Sequence, residues 1–224
     1  MNILVVPDVH GRTFWRYALE HIDDYDKIVF LGDYLDPYYY EGINWETAVE
    51  QFKDILKFRE DNPDKVILLC GNHDLSYIVN RDLFHSRHNV RESSKVHKLC
   101  EEVPFKIAYE IDGCLFTHAG VTREWLKGYE LTIENLLKFK PAEITMELSV
   151  VGRQRGGWEK TGSCMWCDIN EFIEGDHNLG YFQIFGHTQL LGGIIRPKEF
   201  AAIDCHKCFE LNTETKELKV IDNE

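Results

Sequence analysis

Five short stretches of the sequence end alike, in an apolar run followed by residues able to hold a metal ion or move a proton. They are Val5–Gly11, Phe30–Asp36, Leu68–Asp74, Leu115–Gly120 and Ile184–Gln189. Together they supply Asp8, His10, Asp33, Asp36, Asn72, His73, His118 and His187, all oxygen or imidazole donors and none a thiolate. Asp8 and His10 stand two residues apart, so on an extended backbone both face one side and can clasp one ion. The Asp33 carboxylate can bridge to a second ion, which Asn72, His118 and His187 can complete. Mixed imidazole and carboxylate ligation suits Mn, Fe or Zn rather than a cysteine-rich structural zinc. Taken singly, each piece has a plainer reading: an aspartate after a strand caps a turn, and a core histidine satisfies one hydrogen bond. Five such tips in one chain read as one site.

The elements that must carry these tips can be read from the apolar pattern. Asn2–Pro7, Lys27–Leu31 and Val66–Cys70 are short runs of the kind that form strands buried on both faces. Between them lie helical patterns over residues 12–23 and 45–60. In the second of these, Trp45, Val49, Phe52 and Leu56 form an apolar stripe that Pro63 terminates. Strand–helix–strand order predicts an α/β domain with mostly parallel pairing, and in open α/β sheets ligands sit at the carboxyl ends of the strands. In the second half, Phe105–Ile111 and Cys114–Thr117 flank Asp112-Gly113, which predicts a hairpin. A helical region follows over 122–139, then a strand at Tyr181–Phe185, then closing antiparallel strands within 200–221 around a turn near Asn212–Lys216. The glycine-rich stretch 149–180 has no readable period. With no internal repeat, low-complexity tract or linker, residues 1–224 are expected to form a single domain.

With 44% hydrophobic and 28% charged residues in 224, the chain can bury a sizeable core, which excludes a disordered protein. Its net charge of −13 repels phosphate backbones, so no broad nucleic-acid-binding surface is expected. A phosphorylated substrate stays open, because bound divalent cations invert the local potential. No apolar run is long enough to span a membrane, and the first residues read directly into a strand without a basic leader. Seven cysteines, an odd count in a chain large enough to fold without staples, predict a reduced, cytoplasmic protein.

In order, Asp8-Val9-His10, Gly32-Asp33-Tyr34-Leu35-Asp36, Gly71-Asn72-His73-Asp74, Thr117-His118-Ala119-Gly120 and Gly186-His187-Thr188 resemble the motif series of the calcineurin-like metallophosphoesterases. The match lies near their serine/threonine protein phosphatase branch, in its bacterial and phage form. The resemblance implies an α/β sandwich of two mixed β-sheets flanked by helices, holding two divalent metal ions. It assigns Asp8 and His10 to the first ion and Asp33 to a bridge. Asn72, His118 and His187 go to the second, with Asn72 also at the substrate. His73, oriented by Asp36, becomes the proton donor to the leaving group. The implied reaction is hydrolysis of a phosphoric monoester by in-line attack of a metal-bridging hydroxide, with Mn²⁺ the expected metal in vitro and Fe or Zn as alternatives. The substrate could be a phosphoprotein, a nucleotide or a small phosphometabolite. Alternatives are a dinucleoside polyphosphate hydrolase, a nucleic-acid end phosphatase or phosphodiesterase, and a protein-binding scaffold that has lost catalysis. The intact motifs speak against the scaffold.

The sequence departs from that pattern in informative places. Asp36 is followed by Pro37-Tyr38-Tyr39-Tyr40, where the protein phosphatases carry a phosphate-gripping arginine. Another donor must take its place. Arg155, within Arg153-Gln154-Arg155-Gly156-Gly157, is the expected phosphate contact and Arg153 the alternative, since a guanidinium fork suits a phosphoryl group and glycines permit close approach. The tyrosines suit either an aromatic wall beside the substrate or a surface loop. Trp166 and Asp168 resemble a Trp-x-Asp segment near the family's substrate groove. Gln189 stands where many branches place a second metal-binding histidine, as in the protein phosphatases, which argues against the nuclease branches. Two Cys-x-x-Cys pairs, Cys164/Cys167 and Cys205/Cys208, could hold a structural zinc. The second pair reads as part of a continuous strand, however, and buried thiols are the expectation.

Overall fold

The computed structural model describes residues 1–83 and 87–221. In chain order its strands are β1 (Asn2–Val6), β2 (Lys27–Phe30), β3 (Val66–Leu68), β4 (Ala108–Ile111), β5 (Cys114–Thr117), β6 (Phe182–Phe185), β7 (Ile194–Arg196), β8 (Phe200–Ala202), β9 (Phe209–Asn212) and β10 (Glu217–Val220). The helices are α1 (Tyr17–Glu20), α2 (Trp45–Asp61), α3 (Asn72–Ile78), α4 (Ser93–Cys100), α5 (Arg123–Gly128), α6 (Ile133–Lys138), α7 (Thr145–Leu148) and α8 (Ile169–Glu174). The strands form two five-stranded mixed sheets, ordered β10-β9-β1-β2-β3 and β4-β5-β6-β8-β7. β1, β2 and β3 pair in parallel, as their helical connections require, and the β9–β10 hairpin closes the first sheet antiparallel to β1.

Alternation along the strands explains the layers. Ile3 and Val5 of β1, Val29 of β2 and Leu211 of β9 point into a core shared with Phe116 of β5 and Ile184 of β6. This is the interior between the two sheets. Leu4, Val6, Ile28 and Phe30 point the other way, onto Phe52 and Ile55 of α2 and onto Trp15. A third cluster covers the outer face of the second sheet, where Phe185, Phe200 and Ala202 meet Phe172 of α8. α2 is the longest helix; the Asn44 side chain caps it by accepting from the Thr47 N–H at 2.8 Å. Among the described residues, no helix is long and apolar enough to cross a membrane.

Several expected elements are shorter than their patterns. Residues 12–23 hold one turn of α-helix between two 3₁₀ turns, with only Trp15 and Ala18 of those turns buried to anchor them. The run from Phe105 becomes a strand only at Ala108, because Lys106 bridges to the first sheet instead: its N–H donates to Leu68 O at 3.0 Å and its carbonyl accepts from Cys70 N–H at 2.9 Å. Region 122–139 splits into α5 and α6, separated where Glu130 takes φ +53° and Thr132 starts a new cap. Of the closing strands, β8 joins the second sheet, while β9 and β10 join the first.

Candidate active site

Three of the five tips leave their strands through left-handed turns at the site residues themselves, while Gly71 stays extended and leads straight into α3. His10, Asp33, Asp36 and His187 all have positive φ, between +47° and +69°. The sequence expectation of an extended backbone through Asp8 and His10 is therefore corrected. The left-handed turn at His10 aims its ring toward Asp33, while Asp8 stays set back against the Gly186-His187 backbone, accepting the His187 N–H at 3.1 Å. Such strained conformations in non-glycine residues persist where the surroundings over-determine them. Two glycines make the convergence possible. A Cβ on Gly71 would lie 2.2 Å from Asp33 Oδ1, and one on Gly186 would lie 2.0 Å from Asp8 Oδ1.

The result is two overlapping groups of donors, His10–Asp33–His73 and Asp33–His118–His187, with Asp33 common to both. Asn72 Oδ1 lies 2.8 Å from His118 Nε2 and 2.9 Å from His187 Nδ1. His10 gives its Nδ1 hydrogen to the Leu35 carbonyl at 2.7 Å, and His118 gives its own to Leu31 at 2.9 Å. That fixes the tautomers, as a second-sphere carbonyl does for a metal-bound imidazole. Their Nε2 lone pairs then meet Asp33 Oδ2 at 3.4 and 3.5 Å. A lone pair facing a carboxylate is repulsive unless a cation lies between them, so these residues fit divalent metal ions. In the metal-free chain a proton takes that place: the Asp33 and Asp8 carboxylates raise His118 against the effect of its burial. Burial acts to raise the Asp33 carboxyl, but the imidazoles of His118, His73 and His10 outweigh it and hold the group well below its usual range. Burial, with His118 and Arg155 adding repulsion, keeps His187 neutral and its lone pair free.

Beside this cluster, His73 Nδ1 donates to Asp36 Oδ2 at 2.9 Å, and the Tyr77 hydroxyl donates to the other Asp36 oxygen. The Asp74 carboxylate accepts the backbone N–H groups of Asp33, Tyr34 and Gly71 and so pins two tips together. His10, Asp33, Asn72, His73 and His187 line a cavity of about 340 Å³, walled by Tyr38, Arg87, Arg155 and Trp166. Asp8, Asp36 and His118 sit behind it, each no more than 1% exposed.

The remaining sequence candidates divide. Arg155 reaches the cavity, held by Asp168 at 2.9 Å through Nε and by Thr188 Oγ1 at 2.9 Å through Nη2. Arg153 is not among the lining residues; its Nε turns back to the Trp158 carbonyl at 3.4 Å. Of the three tyrosines, Tyr38 forms a wall while Tyr39 and Tyr40 are exposed. Trp166 meets the His187 ring edge-on, and Gln189 lies exposed next to His206. Cys205 and Cys208 lie between β8 and β9, which corrects the expectation of a continuous strand. Each Cys-x-x-Cys pair splits between different cores: Cys164 and Cys208 face one, while Cys167 and Cys205 face two others.

Two residues of the site escape sequence reasoning. Arg87 belongs to no motif and reaches His73 from a loop fourteen positions on. Asp204 follows β8 and is 1% exposed with Oδ1 unpartnered; burial and then the Asp8 carboxylate push its pKa up to about 9. Its Ile-Asp setting at the end of an apolar run was the available signal.

Comparison with known proteins agrees with this geometry. The two-sheet architecture aligns with a cold-active protein tyrosine phosphatase of a Shewanella species at 16% identity and a TM-score of 0.59, covering 99% of this chain and 80% of that one. A protein serine/threonine phosphatase from Saccharomyces cerevisiae aligns at 11% identity and 0.57, covering 100% and 81%. A candidate diadenosine tetraphosphatase aligns at 14% and 0.53, covering 98% and 92%. No curated protein sequence matches the chain. The calcineurin-like phosphoesterase family model matches residues 1–189, which include all five tips. The chain belongs to the calcineurin-like phosphoesterase family of metal-dependent hydrolases.

Proposed function

We propose that this protein is a phosphomonoesterase carrying two divalent metal ions. The observation that carries the reading is the His73–Asp36 pair opening on the same small cavity as the two donor groups that share Asp33. Asp8, His10 and Asp33 would hold one ion, and Asp33, Asn72, His118 and His187 the other. When bound, such ions supply Lewis acidity toward phosphoryl oxygens and a water nucleophile at neutral pH.

The chain's own residues do the rest. Asp36 takes the Nδ1 hydrogen of His73, so Nε2 is the ring atom directed at the cavity, where it holds and releases the leaving-group proton. Tyr77 fixes Asp36 from behind, which keeps that orientation. Arg155, held in place by Asp168 and Thr188, positions the phosphoryl group at the cavity rim. The Tyr38 and Trp166 rings narrow the entrance and shield the charges from water. Seven cysteines, all unpaired, support a reducing compartment and hence the cytoplasm as the place of action.

The test compares initial rates on p-nitrophenyl phosphate and bis-p-nitrophenyl phosphate after EDTA treatment and Mn²⁺ re-addition, with His73→Ala alongside. The expected result is Mn²⁺-dependent turnover favouring the monoester, reduced about 10²- to 10⁴-fold in kcat in the variant. Preference for the diester would overturn the reading in favour of a phosphodiesterase. Positive rates would direct screening to phosphopeptides, nucleotides and phosphorylated metabolites.

A further inference from the structure

The cavity contains a cation that the family pattern does not account for. Arg87 stands over the Tyr38 ring, its guanidinium carbon 3.5 Å from the ring centroid, and its Nη2 lies 3.0 Å from His73 Nε2. Its Nη1 is buried and has no hydrogen-bond partner. The salt bridges of the described residues give Arg87 no carboxylate, in a chain whose net charge is −13. Burying part of a guanidinium with one donor unmatched is costly unless an anion completes the site. Arg155, the other arginine on the cavity wall, already spends its Nε on Asp168 and its Nη2 on Thr188. Arg87 adds to it a buried donor with no partner.

We infer that Arg87, seated on Tyr38, is a phosphate-binding residue of this site, exchanging its contact with His73 for a phosphoryl oxygen of the substrate. This rests on the phosphatase reading above. The chemistry of the group supports it: a guanidinium fork presents two adjacent N–H donors, which suits a phosphoryl group better than a lone ammonium does. The cation–π contact with Tyr38 keeps the plane of the fork oriented toward the cavity when the His73 contact is given up. That exchange also uncovers His73 Nε2 only once a phosphoryl group has arrived. Arg87 thus supplies the grip lost where Pro37 follows Asp36, from a different loop.

The test is calorimetric titration of inorganic phosphate into the Mn²⁺-loaded protein, beside a Mn²⁺ titration and a thermal melt for each variant. Arg87→Ala should weaken phosphate binding about 10- to 100-fold, the range for a lost hydrogen bond to a charged group. Its Mn²⁺ affinity should stay that of the wild type. Arg87→Lys, which keeps the charge and loses the fork, should recover only part of the loss, and it carries the test if Arg87→Ala does not fold. Tyr38→Leu should shift phosphate affinity in the same direction by less. Unchanged phosphate affinity in Arg87→Ala, or a loss matched by equal loss of Mn²⁺ affinity, overturns the assignment. Wild-type protein that binds phosphate through Arg87 yet hydrolyses no monoester would overturn the phosphatase reading while supporting this one.

Discussion

Asp204 shows what one carboxylate does when placed among others without water. Its pKa is pushed up to about 9, first by burial and next by the Asp8 carboxylate, against the opposing pull of Arg12. Unfolded, it would release its proton near the ordinary aspartate value of 3.8. Between those two values the folded, metal-free protein holds a proton that the unfolded chain has lost. The metal-free fold is therefore favoured at the acid end and loses stability as pH rises through the window, by up to about 1.4 kcal/mol per pH unit. Asp74, raised to about 7 by burial and by Asp33, and His118, raised by Asp33 and Asp8 against the effect of its burial, act in the same direction. The informative comparison is therefore between proteins: from pH 7 to 9 the melting temperature of the EDTA-treated wild type should fall more steeply than that of Asp204→Asn. Parallel curves would mean that Asp204 does not titrate in this window. The residues visible from sequence were those at strand tips, where an apolar run points at the polar atom. Arg87 was invisible because an arginine in a loop has no period, and only the folded chain places it against His73.

At the scale of elements, the parallel core β1–β2–β3 and the hairpin β4–β5 were legible because apolar runs and the Asp112-Gly113 turn are local signals. The stretch 149–180 was not, because a side chain of its own, nine to seventeen residues from the N–H groups it binds, organises it. Glu171, on α8 and 4% exposed, accepts the N–H of Gln154 at 2.7 Å and of Gly162 at 2.9 Å. A Cβ on Gly152 would come within 2.0 Å of that carboxylate, so glycine is required where the loop crosses it. Gln154 lies inside the 3₁₀ turn Arg153–Arg155, which means that Glu171 sets the base from which Arg155 reaches the cavity. Removing Glu171 leaves the buried Gly162 N–H unmatched at about 1–3 kcal/mol, and lets the turn around Gln154 drift. Glu171→Ala should lower the melting temperature and raise KM for p-nitrophenyl phosphate about tenfold, with kcat changed less, because a misplaced positioning group is felt mainly where it binds. Wild-type KM in a destabilised Glu171→Ala would show that Arg155 is positioned by Asp168 and Thr188 alone.

Across the whole molecule, the two sheets meet face to face through one apolar interior, yet their carboxyl ends bring buried charge together. Asp8, Asp33 and Asn72 come from the first sheet, His118 and His187 from the second, and every one of them is at most 9% exposed. Asp8, Asp33, Asp36, Asp74 and Asp204 are each no more than 3% exposed. Arrayed without cations, such a cluster opposes the packing that the interior favours. A pair of divalent ions would cancel that repulsion and link the sheets, and a ligand that binds only the folded chain stabilises it by mass action. At Mn²⁺ one hundred times its dissociation constant the gain is about 2.7 kcal/mol per site, which in a chain of this size corresponds to a rise of roughly 5–10 °C in melting temperature. Imidazole ligands should make Ca²⁺ a poor substitute at equal ionic strength, since it prefers oxygen. Asn72→Ala, which removes a donor shared by His118 and His187 without adding charge, should reduce the Mn²⁺ shift while leaving the EDTA-treated protein folded. Equal shifts with Mn²⁺ and Ca²⁺, undiminished in Asn72→Ala, would show diffuse screening of an acidic surface instead of ions held between the two sheets.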